Sequence, residues 1–421
     1  MTLAAYGRIL RHNRNFRLLW IAQIISELGD WFYAVSIYSL LLQMTGSAQS
    51  LAAAFILQTL PQCLIAPTAG VLNDRLSRKT LMIYSDVLRA GIVFAMLLVR
   101  SRESLWLLFV LLFLETMCWG LFEPGRSAVI PNICAGEDIP AANALASTTW
   151  SVNFAIGAAV GGVAAVAFGR QTVFVLNSLS FLASAWLIAR MRFAEPHADN
   201  MPPLRARDLL DFTDVREGVR YIIRDRRLRI TVLVKGGIGM MGANWIILPV
   251  IGQRVFPLHI GGLSAEQAGT LGISALFASR GFGALIGAFA AAGFGALDAR
   301  RHRRIILLGF LLGGTGYIAL GAAGSIGGAV AALLIAHSGG SACWTSSTTL
   351  LQQQTEDRFR GRVFSAEFAF MTLTLAASSF VAGRLVDAGV DVQRVAVGTG
   401  LLMLLPAGAW IFGNRRGGAG V

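Results

Sequence analysis

Long apolar runs alternate with short polar segments from near the start of the chain to near its end. The hydrocarbon core of a bilayer is ~30 Å thick, and a helix needs about 20 apolar residues to cross it. The pattern therefore predicts an all-α membrane protein with twelve transmembrane helices. We place these helices at residues 16–43, 49–72, 80–99, 105–122, 141–168, 172–190, 230–255, 267–293, 305–324, 328–350, 363–388 and 393–413.

The longest polar stretch divides the predicted helices into two groups of six. We predict an N-terminal six-helix bundle over residues 1–190, a cytoplasmic linker over 191–229 and a C-terminal six-helix bundle over 230–421. Inside the linker, apolar residues recur on one face of a helix while arginines occupy another, which predicts an amphipathic helix on the membrane surface. The apolar residues of this face are Phe212, Val215, Val219 and Ile222.

Composition and charge agree with a membrane protein. Of the 421 residues, 55% are hydrophobic and only 14% are charged, whereas a soluble domain carries about 25% charged residues. The net charge of +13 could indicate a nucleic-acid partner. With both termini in the cytoplasm, however, 27 of the 36 Lys and Arg residues fall in cytoplasmic segments and five in outer segments. The positive-inside rule accounts for this bias. We therefore expect a multi-pass membrane protein with both termini in the cytoplasm and no nucleic-acid partner.

Several kinds of chemistry are not expected. The four cysteines have no clustered spacing and indicate neither a disulfide framework nor a metal site. The segment from Gly237 to Gly242 has the glycine spacing of a dinucleotide-binding loop, but it lies in an apolar span with no strand before it, which favours helix packing instead. The sequence has no Walker A motif and no nucleophile and base at one membrane face. We expect no catalytic residue and no cofactor. A lipid-modifying membrane enzyme is the alternative from another functional class.

A weak internal repeat relates the two halves. Asp74 and the basic residues after it follow the second predicted helix, and Asp298 with its own basic neighbours follows the eighth, 224 residues later. Parallel repeats of six helices are one way in which transporters are built, with the binding site at the repeat interface near the midplane. The repeat therefore favours a transporter.

The segment between helices 2 and 3 reads Gly70-Val-Leu-Asn-Asp74-Arg75-Leu-Ser-Arg78-Lys79. It resembles the G-x-x-x-D-R-x-x-R-[RK] signature of the major facilitator superfamily, which lies at this place in the fold. Other segments are similar to the drug:H+ antiporter branch, which includes macrolide efflux pumps and siderophore exporters. They are Gly29-Asp30-Trp31-Phe32, Ser85-Asp86-Val-Leu-Arg89-Ala90, Glu123-Pro124-Gly125-Arg126-Ser127 and Arg360-Gly361-Arg362-Val363.

This resemblance implies the major facilitator fold, alternating access, and export of a hydrophobic or amphipathic, drug-like molecule in exchange for protons. A siderophore exporter and a lysophospholipid flippase are the alternatives, and Na+ is the alternative coupling ion. We expect a multi-pass monomer in the lipid bilayer of the bacterial cytoplasmic (inner) membrane. One departure concerns helix 5, where the antiporter signature G-x-x-x-G-P-x-x-G-G contains a proline that residues 157–162 lack. The small residues that permit close helix packing are retained.

A conformational latch is expected between helices 2 and 3. Asp74 can reach the positive N-terminal end of helix 11 near Val363, while its basic neighbours pair with cytoplasmic acids. Asp86 and Arg89, which lie three residues apart, either join this latch or neutralise each other. The predicted latch comprises Gly70, Asp74, Arg75, Arg78, Lys79, Asp86, Arg89, Arg126 and Glu367.

Ionisable groups inside the predicted spans mark a candidate substrate cavity. Such groups cost at least ~2.5 kcal/mol at the bilayer centre, so they normally face a cavity or one another. Asp30 lies 13 residues after Arg17, which places it roughly 20 Å along the helix and past the midplane. We predict that Asp30 carries the exchanged proton, with a purely structural role as the alternative. The predicted cavity and proton-coupling residues are Glu27, Asp30, Trp31, Glu115, Arg280 and His337.

The charged members of this set leave the substrate's charge open. The acids beside Trp31 favour a cationic or neutral lipophilic substrate, because carboxylates and aromatic faces attract cations. Arg280 would instead favour an anionic head group. His337, a lone histidine among small residues, has hydrogen-bonded packing as its alternative role.

Overall fold

The computed structural model describes residues 3–196, 213–293 and 299–415, and within them every regular element is a helix. The first half contains α1 Leu3–His12, α2 Arg14–Thr45, α3 Ala48–Leu57, α4 Leu60–Arg75, α5 Arg78–Ala95, α6 Leu105–Ile133, α7 Ile139–Phe168 and α8 Arg170–Ala189. The second half contains α9 Thr213–Arg224, α10 Arg226–Gly239, α11 Asn244–Val250, α12 Ala265–Gly293, α13 Ala299–Gly321, α14 Ile326–Gln354, α15 Asp357–Asp387 and α16 Val392–Arg415. Asp298 and residues 197–212 of the predicted linker, which include Phe212, lie outside the described residues.

Most predicted spans appear as long apolar helices. Eleven described segments are long and apolar enough to cross a membrane: Ala48–Arg75, Arg78–Leu98, Arg102–Ile133, Ile139–Phe168, Arg170–Ala189, Arg226–Val255, Ala265–Ala291, Ala299–Gly321, Ile326–Gln354, Phe359–Asp387 and Val392–Phe412. The first predicted span is α2, a continuous helix of 32 residues that is made more polar by Glu27 and Asp30. With α2 the count reaches twelve, and the predicted all-α membrane fold is confirmed.

Contacts divide the chain into two units. The first consists of Met1–Ile37 and Leu57–Asp211, and the second of Tyr38–Ile56 and Phe212–Val421. The end of α2 and all but the last residue of α3 therefore belong, by their contacts, with the second half of the sequence. A division at the polar linker alone does not produce this grouping.

In the first unit, α1 is fixed to the turn between α6 and α7. The guanidinium of Arg8 donates to Asp138 Oδ1 over 2.8 Å, and Asn13 Nδ2 donates to the Ile133 carbonyl over 2.6 Å. The side chains of Ile9 and Phe16 are buried in an apolar cluster that includes residues of the turn and of α8. The first short helix is thus part of the core of this unit.

In the second unit, the turn between α2 and α3 is held by a carboxylate at the end of α15. Asp387 accepts hydrogen bonds from the Ser47 hydroxyl at 2.5 Å, the Ala48 amide at 2.7 Å and the Gln49 amide at 3.0 Å. It satisfies N–H groups that have no partner within the first turn of α3. Arg254 also donates to the Gly46 carbonyl at 2.6 Å. These four bonds explain why the turn groups with the second unit.

The seventh span is irregular. Between α10 and α11 the chain forms a 3-10 segment, Met240–Ala243, and after α11 it forms a π-helix, Ile251–Val255. Two serine hydroxyls of α15 donate to the carbonyls around the 3-10 segment, Ser378 to Gly239 at 2.9 Å and Ser379 to Gly242 at 2.8 Å. Two of the dinucleotide-like glycines, Gly239 and Gly242, therefore lie against α15, and a side chain at either would clash with it. The third, Gly237, lies against Phe310 of α13 and Pro406 of α16.

The predicted surface helix packs partly against protein. In α9, Ile222 is buried in an apolar cluster with residues of α10, α14 and α15, whereas Val219 and Ile223 are exposed. The Tyr221 and Phe359 rings stack at 4.3 Å. Only part of the apolar surface of α9 is therefore available to a membrane.

Candidate functional site

Four ionisable side chains, three of them buried and one half-buried, meet in the first unit, and we call them the charge cluster: Asp30, Asp86, Arg89 and Glu115. Arg89 and Asp86, on one face of α5, are joined by a direct hydrogen bond. Arg89 Nη1 lies 3.9 Å from Asp30 Oδ2 on α2. Glu115 on α6 interacts electrostatically with both Arg89 and Asp30. Three transmembrane helices thus contribute to one cluster.

The members of the charge cluster differ in exposure. Asp86 and Arg89 are 0% and 2% exposed and Glu115 is 7% exposed, while the Asp30 side chain is 25% exposed. Asp30 Oδ1 accepts no hydrogen bond within the described part of the chain. Asp30 is therefore the most accessible carboxylate of the cluster.

Aromatic side chains hold Arg89 in place. Its Cζ lies 4.8 Å from the ring centroid of Phe122 and 4.2 Å from that of Phe181. Arginine is attracted to aromatic faces, more strongly where water is excluded. Glu115 is held separately, by the Tyr33 hydroxyl of α2, which donates to Glu115 Oε2 at 3.4 Å.

Glycine next to Asp30 determines how closely α2 approaches its neighbours. A Cβ at Gly29 would lie 2.3 Å from both Asn177 Oδ1 and Ser180 Oγ of α8. A Cβ at Gly161 would lie 2.5 Å from the Phe32 backbone. Close packing at these glycines brings α2 against α7 and α8 and so fixes the position of Asp30.

Glu27 lies in a separate polar network. Its carboxylate accepts from Gln23 Nε2 at 2.8 Å and from Asn153 Nδ2 at 3.0 Å. Arg126 donates to Gln23 Oε1 at 3.3 Å and pairs with Glu123. Two neutral amides therefore bind Glu27, and the guanidinium of Arg126 is connected to it through Gln23.

The side chains of the predicted polar face of α2 contact two different helices, α5 and α7. Trp31 lies beside α7, with its ring 4.1 Å from Phe154 and 5.9 Å from Trp150, centroid to centroid. Glu27, one turn earlier, also contacts α7, through Asn153. Asp30 instead faces α5. The structure therefore brings Glu27 and Trp31 together and places Asp30 with Glu115.

The second unit holds its predicted site residues among aromatic rings. Arg280 Cζ lies 4.4 Å from the Trp245 ring centroid. Trp245 is surrounded by Phe55, Tyr38 and Phe277, with centroid distances of 4.9, 5.7 and 5.4 Å. We call these five side chains the aromatic box.

His337 is buried near this box. Its Nε2 lies 3.1 Å from the Tyr317 hydroxyl, and both side chains are buried. A hydrogen bond of this kind is the contact expected of a packing histidine. The structure thus favours the alternative role for His337.

Lys235 and Glu367 form a buried pair that sequence reasoning missed. Lys235 Nζ lies 3.5 Å from Glu367 Oε1, donates to Thr348 Oγ1 at 2.8 Å and lies 3.6 Å from the Trp344 ring centroid. Glu367 was expected in the latch, and Lys235 was not among the predicted site residues. The sequence does contain a signal for this site. Thr348 and Trp344 lie one turn apart on α14 and can offer a hydroxyl and an aromatic face to one cation.

The predicted latch residues lie in several places. Asp74 is 76% exposed and lies 3.8 Å from Arg78. Arg78 donates to the Ala128 carbonyl of α6 at 3.0 Å, and Lys79 Nζ donates to the Met191 carbonyl at 2.8 Å. These contacts fix the turn between α4 and α5, whereas Gly70 and Arg75 lie within α4. Four other predicted latch residues lie elsewhere, in the clusters described above: Asp86, Arg89, Arg126 and Glu367.

Comparison with known proteins agrees with this architecture. A family model described as "Transmembrane secretion effector" matches residues 9–414. The chain is 28% identical over 218 residues to the "Uncharacterized MFS-type transporter YfiS" of Bacillus subtilis (strain 168), covering 51% of each protein. It is 23% identical over 256 residues to "Macrolide efflux protein A" of Streptococcus pyogenes, covering 58% of this chain and 61% of the relative. These matches span about half the length of the curated relatives.

Solved structures show the same fold. A POT family transporter in complex with 5-aminolevulinic acid superposes with a TM-score of 0.75 at 12% identity, covering 96% of this chain and 97% of the other. A bacterial homologue of the human lysosomal transporter Spinster, inward-facing and unoccupied, gives a TM-score of 0.68 at 13% identity, covering 99% and 98%.

Proposed function

This chain belongs to the transmembrane secretion effector family of the major facilitator superfamily, and we propose that it exports an amphipathic small molecule across the bacterial cytoplasmic membrane in exchange for protons. Alternating access moves the substrate, and both termini face the cytoplasm. The observation that supports proton exchange most strongly is the charge cluster.

The charge cluster contains more acid than base. With all four groups ionised it carries a net charge of −2, from three carboxylates and one guanidinium. Uncompensated charge inside a protein costs several kcal/mol per ion. Taking up one proton reduces this cost, and releasing it restores the charge. Asp30 is the group we assign to this exchange because it is the most exposed of the three acids.

The surroundings of Glu27 support a cationic or neutral lipophilic substrate. An aromatic surface lies next to this carboxylate. It consists of Trp31, one turn after Glu27 on α2, and of Trp150 and Phe154 on α7, the helix whose Asn153 binds Glu27. Aromatic faces and a carboxylate together attract cationic amphiphiles. One relative is named as a macrolide efflux protein, which describes export of a small molecule by that protein.

Reconstitution tests the proposal. Proteoliposomes with an acidic interior are given labelled erythromycin or the lipophilic cation tetraphenylphosphonium, and uptake by inside-out transporters is followed. We expect uptake that an ionophore abolishes, and a loss of at least ~100-fold in Asp30→Asn, since an amide cannot cycle a proton. Glu103→Gln, at an exposed carboxylate, is the matched control and should transport normally. Gradient-driven uptake by Asp30→Asn at the native rate would contradict the role of Asp30.

Arg280 supports a second candidate, export of an anionic amphiphile such as a siderophore or a lysophospholipid. Its guanidinium lies against Trp245 within the second unit, where charge and aromatic surface could receive an anionic head group. Two variants separate the candidates. A cationic substrate should be lost in Glu27→Gln and retained in Arg280→Ala, whereas the reverse result would support the anionic class.

Asp74 supports a latch that acts on conformational balance. Because its side chain is 76% exposed, we expect Asp74→Asn to lower turnover more than substrate affinity. Glu137→Gln, at a side chain of the same exposure, is the control. Loss of affinity with an unchanged rate per bound substrate would contradict the latch.

A further inference from the structure

We propose that Arg89, held by Asp86, is a positioning residue that makes Asp30 the exchangeable acid of the charge cluster. This inference rests on the proposed function, in which Asp30 exchanges the proton. It gives Asp86 and Arg89 a role different from that of a latch at the turn between α4 and α5.

Arg89 is shared unequally among the three acids. It is hydrogen-bonded to Asp86, three residues earlier on the same helix, but lies 3.9 Å from Asp30 Oδ2. Its Nε donates no hydrogen bond to any described residue. The guanidinium therefore has a spare donor, and it lies close enough to Asp30 to strengthen that contact through a small side-chain movement.

The aromatic rings restrict where Arg89 can go. Phe122 and Phe181 hold its Cζ at 4.8 and 4.2 Å from their centroids. A cation confined in this way can shift between Asp86 and Asp30 without leaving the cluster. Asp86 is fully buried, so its contact with Arg89 is shielded from solvent.

The proton step balances without another reactant. When the O–H bond of Asp30 breaks, its proton passes to water, the electron pair stays on the carboxylate, and Arg89 moves closer to compensate the new charge. When Asp30 takes a proton from water on the other side, Arg89 returns to Asp86 alone. Asp86 therefore limits how strongly Arg89 stabilises the ionised form of Asp30.

Few other titratable groups face Asp30 in the described chain. On α2 itself Glu27 lies one turn earlier, and the Tyr33 hydroxyl is bonded to Glu115. The acid that α6 contributes is Glu115. From α8 the neighbours at Gly29 are the neutral side chains of Asn177 and Ser180. The titration of Asp30 should therefore respond mainly to Arg89, Glu115 and Glu27.

Infrared titration tests the inference without a substrate. The purified full-length protein in lipid is titrated from roughly pH 4 to 10, and the protonated-carboxyl band that disappears in Asp30→Asn is followed. That variant, made in each background, serves as the blank. We expect Arg89→Gln to move the midpoint of this band up by about one pH unit or more, because the cation is lost. Asp86→Asn should move it down by a similar amount, because Arg89 is released towards Asp30.

Two further variants distinguish positioning from folding. Arg89→Lys keeps a cation and should leave the midpoint closer to that of the wild type than Arg89→Gln does. The double variant Asp86→Asn/Arg89→Gln keeps the net charge of the cluster and guards against misfolding of Arg89→Gln. It should still show a raised midpoint, because the cation is absent. Unchanged midpoints in folded Asp86→Asn and in the double variant would overturn the inference. If instead the midpoints shift as expected but no variant or wild-type protein performs proton-driven transport, the proposed function fails and the positioning role stands.

Discussion

The two units hold buried charge in different ways. In the first unit, Asp86 compensates Arg89 directly, and amide groups compensate Glu27. In the second unit, the cations Arg280 and Lys235 lie against tryptophan rings. Carboxylates surrounded by exchangeable partners suit proton handling, whereas cations on aromatic faces suit recognition of an organic molecule. On the proposed function, the charge cluster of the first unit exchanges the proton, and the Arg280 site of the second unit selects the substrate only if the exported molecule is anionic.

The largest loss of stability is expected at Lys235 and Glu367, because this buried ion pair is the second unit's counterpart of Arg89 and Asp86 in the first. Removing one partner of a buried ion pair leaves the other uncompensated and costs about 3–5 kcal/mol. We expect Glu367→Gln to destabilise the protein in this range, measured by reversible unfolding in SDS. The double variant Lys235→Met/Glu367→Gln should recover most of the loss. A loss below about 1 kcal/mol in Glu367→Gln would mean that Trp344 and Thr348 alone compensate Lys235.

A smaller effect is expected at the aromatic box. Trp245→Leu removes the ring beneath Arg280 and its contact with Phe55, which together should cost about 2–3 kcal/mol. The matched control is Trp106→Leu, since Trp106 is 66% exposed and should change unfolding little. Equal losses in the two variants would remove the distinction between the aromatic box and an ordinary apolar surface.

The next effect concerns Asp387, an acid of the second unit that is compensated by hydrogen-bond donors, as Glu27 is in the first. Asp387→Ala removes three hydrogen bonds at the start of α3 and should cost about 1–2 kcal/mol. Hydrogen exchange of the Ala48 and Gln49 amides should increase in the variant. Unchanged exchange would show that the turn between α2 and α3 is held by other contacts.

The smallest effect is expected at an exposed ion pair. Glu217 and Arg362 lie 2.7 Å apart with side chains 41% and 37% exposed, and such pairs contribute about 0.2–1 kcal/mol. Glu217→Gln should therefore alter unfolding by no more than this, and less in high salt. A larger loss would show that α9 depends on its contact with α15 through charge and not through Tyr221 and Ile222.

Much of the fold could be predicted because membrane spans need only length and hydrophobicity. The apolar runs gave the helices, and helical rise placed Asp30 deep in the membrane. Contacts between helices could not be predicted in this way. The distance from Arg89 to Asp30 depends on the glycine-mediated approach of α2 to its neighbours, and the Lys235–Glu367 pair depends on how α10 packs against α15.

The sequence also could not predict that the turn between α2 and α3 belongs, by its contacts, with the second unit. Asp387 lies 339 residues after Ala48, and nothing in a local pattern connects them. The same limit applies to the polar face of α2. Helical spacing placed Glu27, Asp30 and Trp31 on one side, but it could not show that α5 contacts Asp30 while α7 contacts the other two.

The most direct test of the division between the units is to measure substrate binding and proton release together. Purified protein in a weakly buffered solution with a pH indicator is mixed with labelled tetraphenylphosphonium or erythromycin. We expect Asp30→Asn to bind the substrate and release no proton. Arg280→Gln should bind these cationic substrates with the affinity of the wild type and release the same number of protons per bound molecule. Loss of proton release in Arg280→Gln with normal release in Asp30→Asn would contradict the account.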